Sequence, residues 1–150
     1  MKTTISFKKA TFEDKPFLLH LRKSSMTGHL AKAGIVLNDA QHFERIDEFY
    51  SDSHIIHKNH QAIGLIKFAL LEDRFHIRQF QIMPAFHNLG IGTKVLELLK
   101  KKASERGLPI TLNVLIENPA LKLYQRNDFV IENKTTLEFQ MRWTNPRESR

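Results

Sequence analysis

Cysteine is absent from this 150-residue chain. That absence removes disulfides, thiolate metal sites and a cysteine nucleophile in one step, so a group transfer here would run through other side chains or by direct attack on the donor. Also missing is an apolar run of roughly eighteen residues, the length that a membrane-spanning helix needs. No charged-then-apolar leader ending in small residues is visible either. These gaps lead us to expect a soluble, unexported, cytoplasmic protein without a membrane partner. No internal repeat or low-complexity linker interrupts the chain.

Hydrophobic residues make up 41% of the chain and charged residues 26%, which suits one domain over residues 1–150 with a real core. The tail 145–150 is expected to fray. A formal net charge of +7 and a pI near 9.8 favour an anionic ligand. Charge alone does not choose between nucleic acid, a membrane surface and a phosphorylated cofactor.

Apolar and polar residues alternate from Thr3 to Lys9, as in a half-buried strand. Thr11 then reads as a helix cap, with Asp14 placed to complete a capping box and Phe17, Leu18 and Leu21 on one face of a helix running to about Ser25. The stretch Met26–Asn38, with Gly28 and Gly34, is irregular. A second helix is expected over Asp39–Tyr50, with Phe43, Ile46 and Phe49 or Tyr50 facing inward. Two β-rich runs, Ser53–Lys58 and Gln61–Leu70, form a hairpin around His57-Lys58-Asn59-His60. A turn at Glu72-Asp73 leads into Arg74–Met83, whose apolar phase shifts between Ile77 and Phe80 as a β-bulge would make it. Ile91, Val95, Leu98, Leu99 and Ala103 mark a helix that stops near Gly107-Leu108-Pro109. Ile110–Ile116 reads as a buried strand, Asn118-Pro119 opens a helix through Arg126, and Thr135–Trp143 closes as a strand.

The segment His87-Asn88-Leu89-Gly90-Ile91-Gly92 joins a β-type run to a helix. Without side chains at Gly90 and Gly92 the main chain can turn tightly and aim successive N–H groups at one anion, aided by the helix dipole. A lone Gly-x-Gly more often marks only a strand-to-helix turn, so context decides. The context is Pro84-Ala85-Phe86-His87-Asn88-Leu89-Gly90-Ile91-Gly92, followed by Asn118-Pro119-Ala120-Leu121-Lys122-Leu123-Tyr124 and then Phe129. This combination resembles the GNAT family of acyl-CoA-dependent N-acyltransferases. Two positions depart from the family pattern. His87 stands where Arg or Gln is usual, and Asn127-Asp128 replaces a residue followed by Gly, although Asn and Asp tolerate left-handed backbone better than other non-glycine residues.

The resemblance implies an α/β (α+β) fold with a mixed, mostly antiparallel sheet of six or seven strands, about four helices, and splaying between the fourth and fifth strands. It implies acetyl-CoA as cosubstrate, with no metal. The pyrophosphate would be held by His87, Asn88, Leu89, Gly90, Ile91, Gly92 and Thr93, and the pantetheine would lie along Phe80–Met83 and touch Asn118. A main-chain N–H at Phe80 or Ile82 would polarise the thioester carbonyl. Tyr124 matches the family tyrosine that protonates the leaving thiolate, and it also fits a plain core aromatic. Asn118 fits a helix cap as well as a pantetheine contact. His76 falls where some members carry a glutamate general base; a half-exposed strand histidine and a water relayed by Gln79 or Gln81 are the competing readings. Lys94, Lys122 and Arg126 lie on helices where one could meet a CoA phosphate.

Other features carry less chemistry. His54, His57 and His60 read as hairpin histidines rather than metal ligands. Lys100-Lys101-Lys102 with Arg106 reads as a solvated helix face, which argues against nucleic acid as the partner. The function expected is acetyl transfer from acetyl-CoA to a primary amine by direct attack in a ternary complex. A noncatalytic acyl-CoA sensor and a basic nucleic-acid-binding module are the alternatives. The acceptor would be read by residues 22–50 and the hairpin near 57–60, where Arg22, His29, Asn38 and Asp39 are polar candidates and surface or capping roles are the plainer reading. A homodimer is compatible with all of this.

Overall fold

The chain enters its first helix through the capping box that the sequence spells out. The Thr11 N–H donates to Asp14 Oδ2 at 2.8 Å and the Asp14 N–H to the Thr11 carbonyl at 3.1 Å, closing a 3-10 turn over Phe12–Asp14. The computed structural model describes residues 3–32, 34 and 36–146, the side chains of 25–32 excepted. The element order is β1 (Ile5–Lys9), α1 (Lys15–Lys32), α2 (Asp39–Asp47), β2 (Ser53–Lys58), β3 (Gln61–Leu70), β4 (Phe75–Ile82), α3 (Ile91–Glu105), β5 (Ile110–Leu115), α4 (Ala120–Arg126), β6 (Val130–Lys134) and β7 (Glu138–Trp143).

The seven strands follow the order β1-β2-β3-β4-β5-β7-β6. β1 with β2, β2 with β3, β5 with β7 and β6 with β7 pair antiparallel. β4 with β5 is parallel, in register from Phe75↔Ile110 to Ile77↔Leu112. β4 continues to Ile82, past the last of these register pairs, as the expected splay requires.

Two compact units share the chain. One contains the chain up to Lys67 together with Gln79–Ile91, the other Phe68–Arg78 together with the chain from Gly92 onward. In the first, Leu18 and Leu21 of α1, Ile46 of α2, Ile55 of β2 and Leu65 of β3 form a buried cluster, flanked by Phe17, Phe43 and Tyr50. Each such side chain contributes about 1.5–3 kcal/mol through burial. In the second, Val95, Leu96, Leu99 and Ala103 of α3 are fully buried, as are Ile110 of β5 and Met141 of β7.

Several boundaries move from those expected. α1 does not stop at Ser25 but continues to Lys32, through Gly28; one interior glycine costs about 1 kcal/mol, which weakens a helix without ending it. α2 ends at Asp47 rather than Tyr50, because Phe49 turns left-handed (φ 53°) and Tyr50–Asp52 forms a separate 3-10 turn. Tyr50 is the half-buried member of that pair and Phe49 the exposed one. On α3, Leu96 rather than Leu98 is fully buried. Thr135–Trp143 shortens to β7, and the preceding β6 is an additional strand. Along β4, where a bulge was expected, burial alternates through Arg78 and is then lost.

α3 and α4 both end in the same reciprocal cap. For α3 the Leu108 N–H donates to the Ala103 carbonyl (2.9 Å) and the Gly107 N–H to that of Ser104 (3.1 Å), with Gly107 left-handed at φ 65°. For α4 the Phe129 N–H reaches Tyr124 O (3.1 Å) and the Asp128 N–H reaches Gln125 O (3.2 Å), with Asp128 at φ 69°. The turn therefore survives the missing glycine, as the tolerance of Asp for this geometry led us to expect. Since Asp still bears the strain of a Cβ there, Asp128→Gly is expected to stabilise the fold by about 1 kcal/mol. In a thermal melt that is a rise of about 2–4 °C.

Candidate active site

β4 gives way to α3 through a loop whose backbone is tied at one end and open at the other. Past Ile82 the Met83 N–H still donates to Ile63 O (2.8 Å), and Pro84–Phe86 then forms a 3-10 turn with proline at its start, where a missing N–H does no harm. His87 Nε2 donates to the Ile82 carbonyl at 2.7 Å, fastening the loop back onto the strand end. This is what stands in place of the family Arg or Gln.

Asn88 (φ 62°) and Gly90 (φ 76°) are both left-handed and flank Leu89, which is 58% exposed. Among the described residues the N–H groups of 88, 89 and 90 have no acceptor. They immediately precede the N-terminus of α3, a helix of 15 residues whose first turn adds more unpaired N–H groups. Exposed donors of this kind at a helix start form an anion cradle.

The two glycines of the loop serve different ends. Gly90 needs its positive φ, and an added Cβ would meet nothing within 4 Å. Gly92 has ordinary backbone, but a Cβ there would lie 2.9 Å from Leu123 Cδ2, so α4 packs directly on the bare start of α3. Gly90 thus serves the turn and Gly92 the packing of α4 on α3.

Thr93, Asn118 and Tyr124 belong to the second unit. Asn118 Oδ1 accepts from the Ala120 N–H at 2.9 Å, so Asn118 does cap α4. Buried Asn127 donates through Nδ2 to Leu123 O (2.8 Å) and Thr93 Oγ1 (3.2 Å), linking the end of α4 to the first turn of α3. Tyr124 is 6% exposed and meets Phe129 edge-on at 5.8 Å between ring centres, the apolar contact that accompanies the α4 cap. Its hydroxyl has no hydrogen-bond partner among the described residues. Burial pushes the phenol well above its ordinary value of 10.0, so the group is held protonated.

His76 sits half-buried on β4, with Nδ1 2.7 Å from Thr111 Oγ1, and Arg74 Nε donates to the same oxygen at 3.2 Å. The Thr111 hydroxyl accepts from Arg74 and can pair with the imidazole as donor or as acceptor. Burial lowers the imidazole pKa from 6.5, and the cations Arg74 and Arg78 lower it further, so His76 is neutral at physiological pH. Its hydrogen bonds run to Thr111 and not to Tyr124.

Phe80 and Ile82 are half-buried on the outgoing part of β4, beside Gln79 and Gln81, whose side chains bond to each other (Nε2 to Oε1, 3.0 Å). Lys94, Lys122 and Arg126 are exposed. His54 and His57 each place Nδ1 against a local carbonyl, that of Asp52 and that of Ile55 respectively, in keeping with ordinary hairpin histidines.

Of the four acceptor candidates, Asn38 is the N-cap of α2 and Asp39 is an exposed partner of Lys23 at 2.6 Å. The side chain of His29 lies outside the described residues. Arg22 is neither a surface nor a capping residue, being 8% exposed. Sequence reasoning did not find its neighbours His42 and Lys67, which are buried as well. An apolar helix face interrupted by Arg22, and an apolar strand interrupted by Lys67, were the available signals.

Residues 27–145 match the family model described as the acetyltransferase (GNAT) domain. The chain therefore belongs to the GNAT family and is an acetyl-CoA-dependent N-acetyltransferase. Solved structures with the same fold include the PaiA N-acetyltransferase of Thermoplasma acidophilum in complex with coenzyme A, with TM-score 0.74 and 19% identity, covering 94% of this chain and 99% of that one. An acetyltransferase of Thermus thermophilus gives TM-score 0.77 at 16% identity, covering 93% and 96%. The Salmonella typhimurium acetyltransferase that modifies the N-terminal serine of ribosomal protein L7/L12 gives 0.76 at 16% identity, covering 95% and 96%. No curated protein matches the chain.

Proposed function

We propose that the protein moves the acetyl group of acetyl-CoA directly onto a primary amine in a ternary complex. The observation that carries this reading is the loop at 88–90, whose unpaired N–H groups at the start of α3 suit a pyrophosphate. In this reading His87, Asn88, Leu89, Gly90 and Ile91, with Gly92 and Thr93 on α3, hold the pyrophosphate, while Phe80, Ile82 and Asn118 hold the pantetheine and thioester. The amine nitrogen attacks the thioester carbonyl carbon, whose oxygen is stabilised by the N–H of Phe80 or Ile82. The C–S bond breaks and the departing sulfur takes the Tyr124 proton. Direct attack suits a chain without cysteine.

Thermal melting with CoA and with acetyl-CoA tests donor binding, because a ligand that binds only the native state raises the melting temperature by mass action. A shift with either, and none with an oligonucleotide, is the expected result. A melt moved only by oligonucleotide sinks the reading. Thiol release across a panel of small amines then tests direct transfer and identifies the acceptor.

As general base His76 accepts the ammonium proton, directly or through water. A base must be neutral to act, so kcat/KM is expected to fall on the acid side along a limb that lies below the ordinary imidazole value of 6.5, because burial and the neighbouring cations depress the folded pKa. His76→Gln is expected to remove that limb and lower the plateau by about 100-fold. An unchanged limb in the variant assigns the proton to another group.

A further inference from the structure

The end of β4 presents its main-chain groups on two sides. Towards β3, the Met83 N–H donates to Ile63 O at 2.8 Å and the Gln81 carbonyl lies against Gly64. A strand sends the N–H and C=O of one residue to one side and those of the next residue to the other, so Phe80 and Ile82 turn theirs away from β3. On that side an extended ligand can add as a further strand, held by main-chain hydrogen bonds.

There Ile82 already has a partner. Its carbonyl accepts from His87 Nε2 at 2.7 Å. A carbonyl only accepts, so the ring carries a proton on Nε2 whether it is imidazole or imidazolium. The turn that delivers the ring is itself well tied. The Phe86 N–H donates to Met83 O at 2.9 Å and the His87 N–H to Pro84 O at 3.1 Å. The Phe86 ring lies 5.5 Å from the ammonium of Lys58, which is paired on one side with Ile5 and on the other with Gln61. Phe80 differs from Ile82, because among the described residues no side chain bonds to its carbonyl. Every residue in this arrangement, and the cradle at 88–90, belongs to the first unit.

An acyl-CoA arm that leaves the cradle and runs back along β4 meets Ile82 first and Phe80 about 7 Å further on. The thioester carbonyl of such a donor and its nearest amide carbonyl are spaced much like the carbonyls of alternate residues in a strand. We propose that His87 is a positioning residue that sets the register of the donor on β4: by holding the Ile82 carbonyl it ends strand addition there, so that the Ile82 N–H meets the amide and the Phe80 N–H meets the thioester carbonyl. This rests on the acetyl-transfer reading above and chooses between its two N–H donors. The His87 ring then serves the strand end, while the main chain after it serves the pyrophosphate.

CoA and acetyl-CoA differ only at the sulfur, so the amide NMR signals of the protein saturated with each, without an acceptor, report where the thioester lies. The largest difference is expected at the Phe80 N–H, with Ile82 moving alike for both ligands. A largest difference at Ile82 overturns the register. If neither ligand moves any signal over residues 80–92, the donor-binding reading fails and the register falls with it. Replacing one main-chain amide by an ester then deletes a single N–H and leaves the side chains in place. At Phe80 this is expected to lower kcat about 100- to 1,000-fold, whereas at Ile82 it should raise the KM for acetyl-CoA about 10-fold with kcat within a few-fold. Equal or reversed effects overturn the assignment. His87→Ala is expected to lower kcat about 10-fold while CoA still stabilises the protein. His87→Gln, which keeps a donor at the end of its side chain, should restore most of that loss, and His87→Phe, which keeps a ring without a donor, should not. A His87→Ala enzyme with the turnover of the wild type, or equal turnover in the Gln and Phe variants, removes His87 from the positioning of the donor.

Discussion

Tyr124→Phe is expected to lower turnover by roughly 100- to 10,000-fold while CoA still stabilises the protein as it does the wild type. The structure makes this a clean experiment. The Tyr124 ring fills a buried position against Phe129 at the end of α4, and phenylalanine keeps that ring. The hydroxyl has no partner among the described residues, so its removal orphans no donor or acceptor, and stability should change by less than about 1 kcal/mol. A purely structural tyrosine would leave kcat untouched. Burial keeps the phenol protonated in the resting protein, the state a proton donor to the departing sulfur needs. The measurement is kcat and KM by thiol release, paired with melting in the presence and absence of CoA. Turnover like that of the wild type removes Tyr124 from the chemistry.

The turn before α3 and the ends of α4 were legible because their requirements are local. A positive φ at Gly90, a cap at Asn118 and the spacing from Tyr124 to Phe129 are each written in a few consecutive residues, since one turn or one short helix imposes them. Gly92 was legible as a glycine but not as to cause, because the atom that a side chain there would crowd belongs to Leu123 on another helix. Arg22 shows the same limit more strongly. Its surroundings, His42, Lys67 and Gln79, come from three other elements, and no local pattern records their meeting.

Among secondary elements, β6 escaped for a physical reason. Every residue of Val130–Lys134 is exposed, so the strand lacks the buried alternation that identifies its neighbours, and it exists through pairing with β7 at the edge of the sheet. α1 ran past Ser25 because weak helix formers and one glycine subtract from a helix without supplying a stop. The fold order was recoverable from pattern, whereas boundaries and the acceptor region depended on tertiary contacts.

Gly64→Ala is expected to be the most damaging single-methyl change in the first unit. Gly64 is buried in the middle of β3, a setting where alanine is ordinarily the better residue because glycine has more backbone freedom to lose. Here the sign reverses. A Cβ would stand 2.4 Å from the carbonyl oxygen of Gln81 and 3.2 Å from Cα of Ile82, both backbone atoms, and 3.3 Å from Ile56 Cδ1. Gly64 also pairs with Ile56 beside the register shift at Ile56/His57, so β3 is held from that side as well. A side-chain tip could rotate away, but a paired strand must be displaced along with its hydrogen bonds. The cost is about 3 kcal/mol or more, at the upper end for overpacking, or a fall in melting temperature of roughly 6–12 °C. Because Ile82 is one of the two residues whose N–H is proposed to meet the thioester and Gln81 lies between them, the variant should also lose kcat at temperatures where it remains folded. Gly90→Ala is the control, since an added Cβ there meets nothing and the cost is limited to about 1–2 kcal/mol of left-handed strain. Equal melting temperatures for the two variants would show that β3 and β4 yield to the methyl group, and the close approach at Gly64 would then carry no weight in positioning the strand.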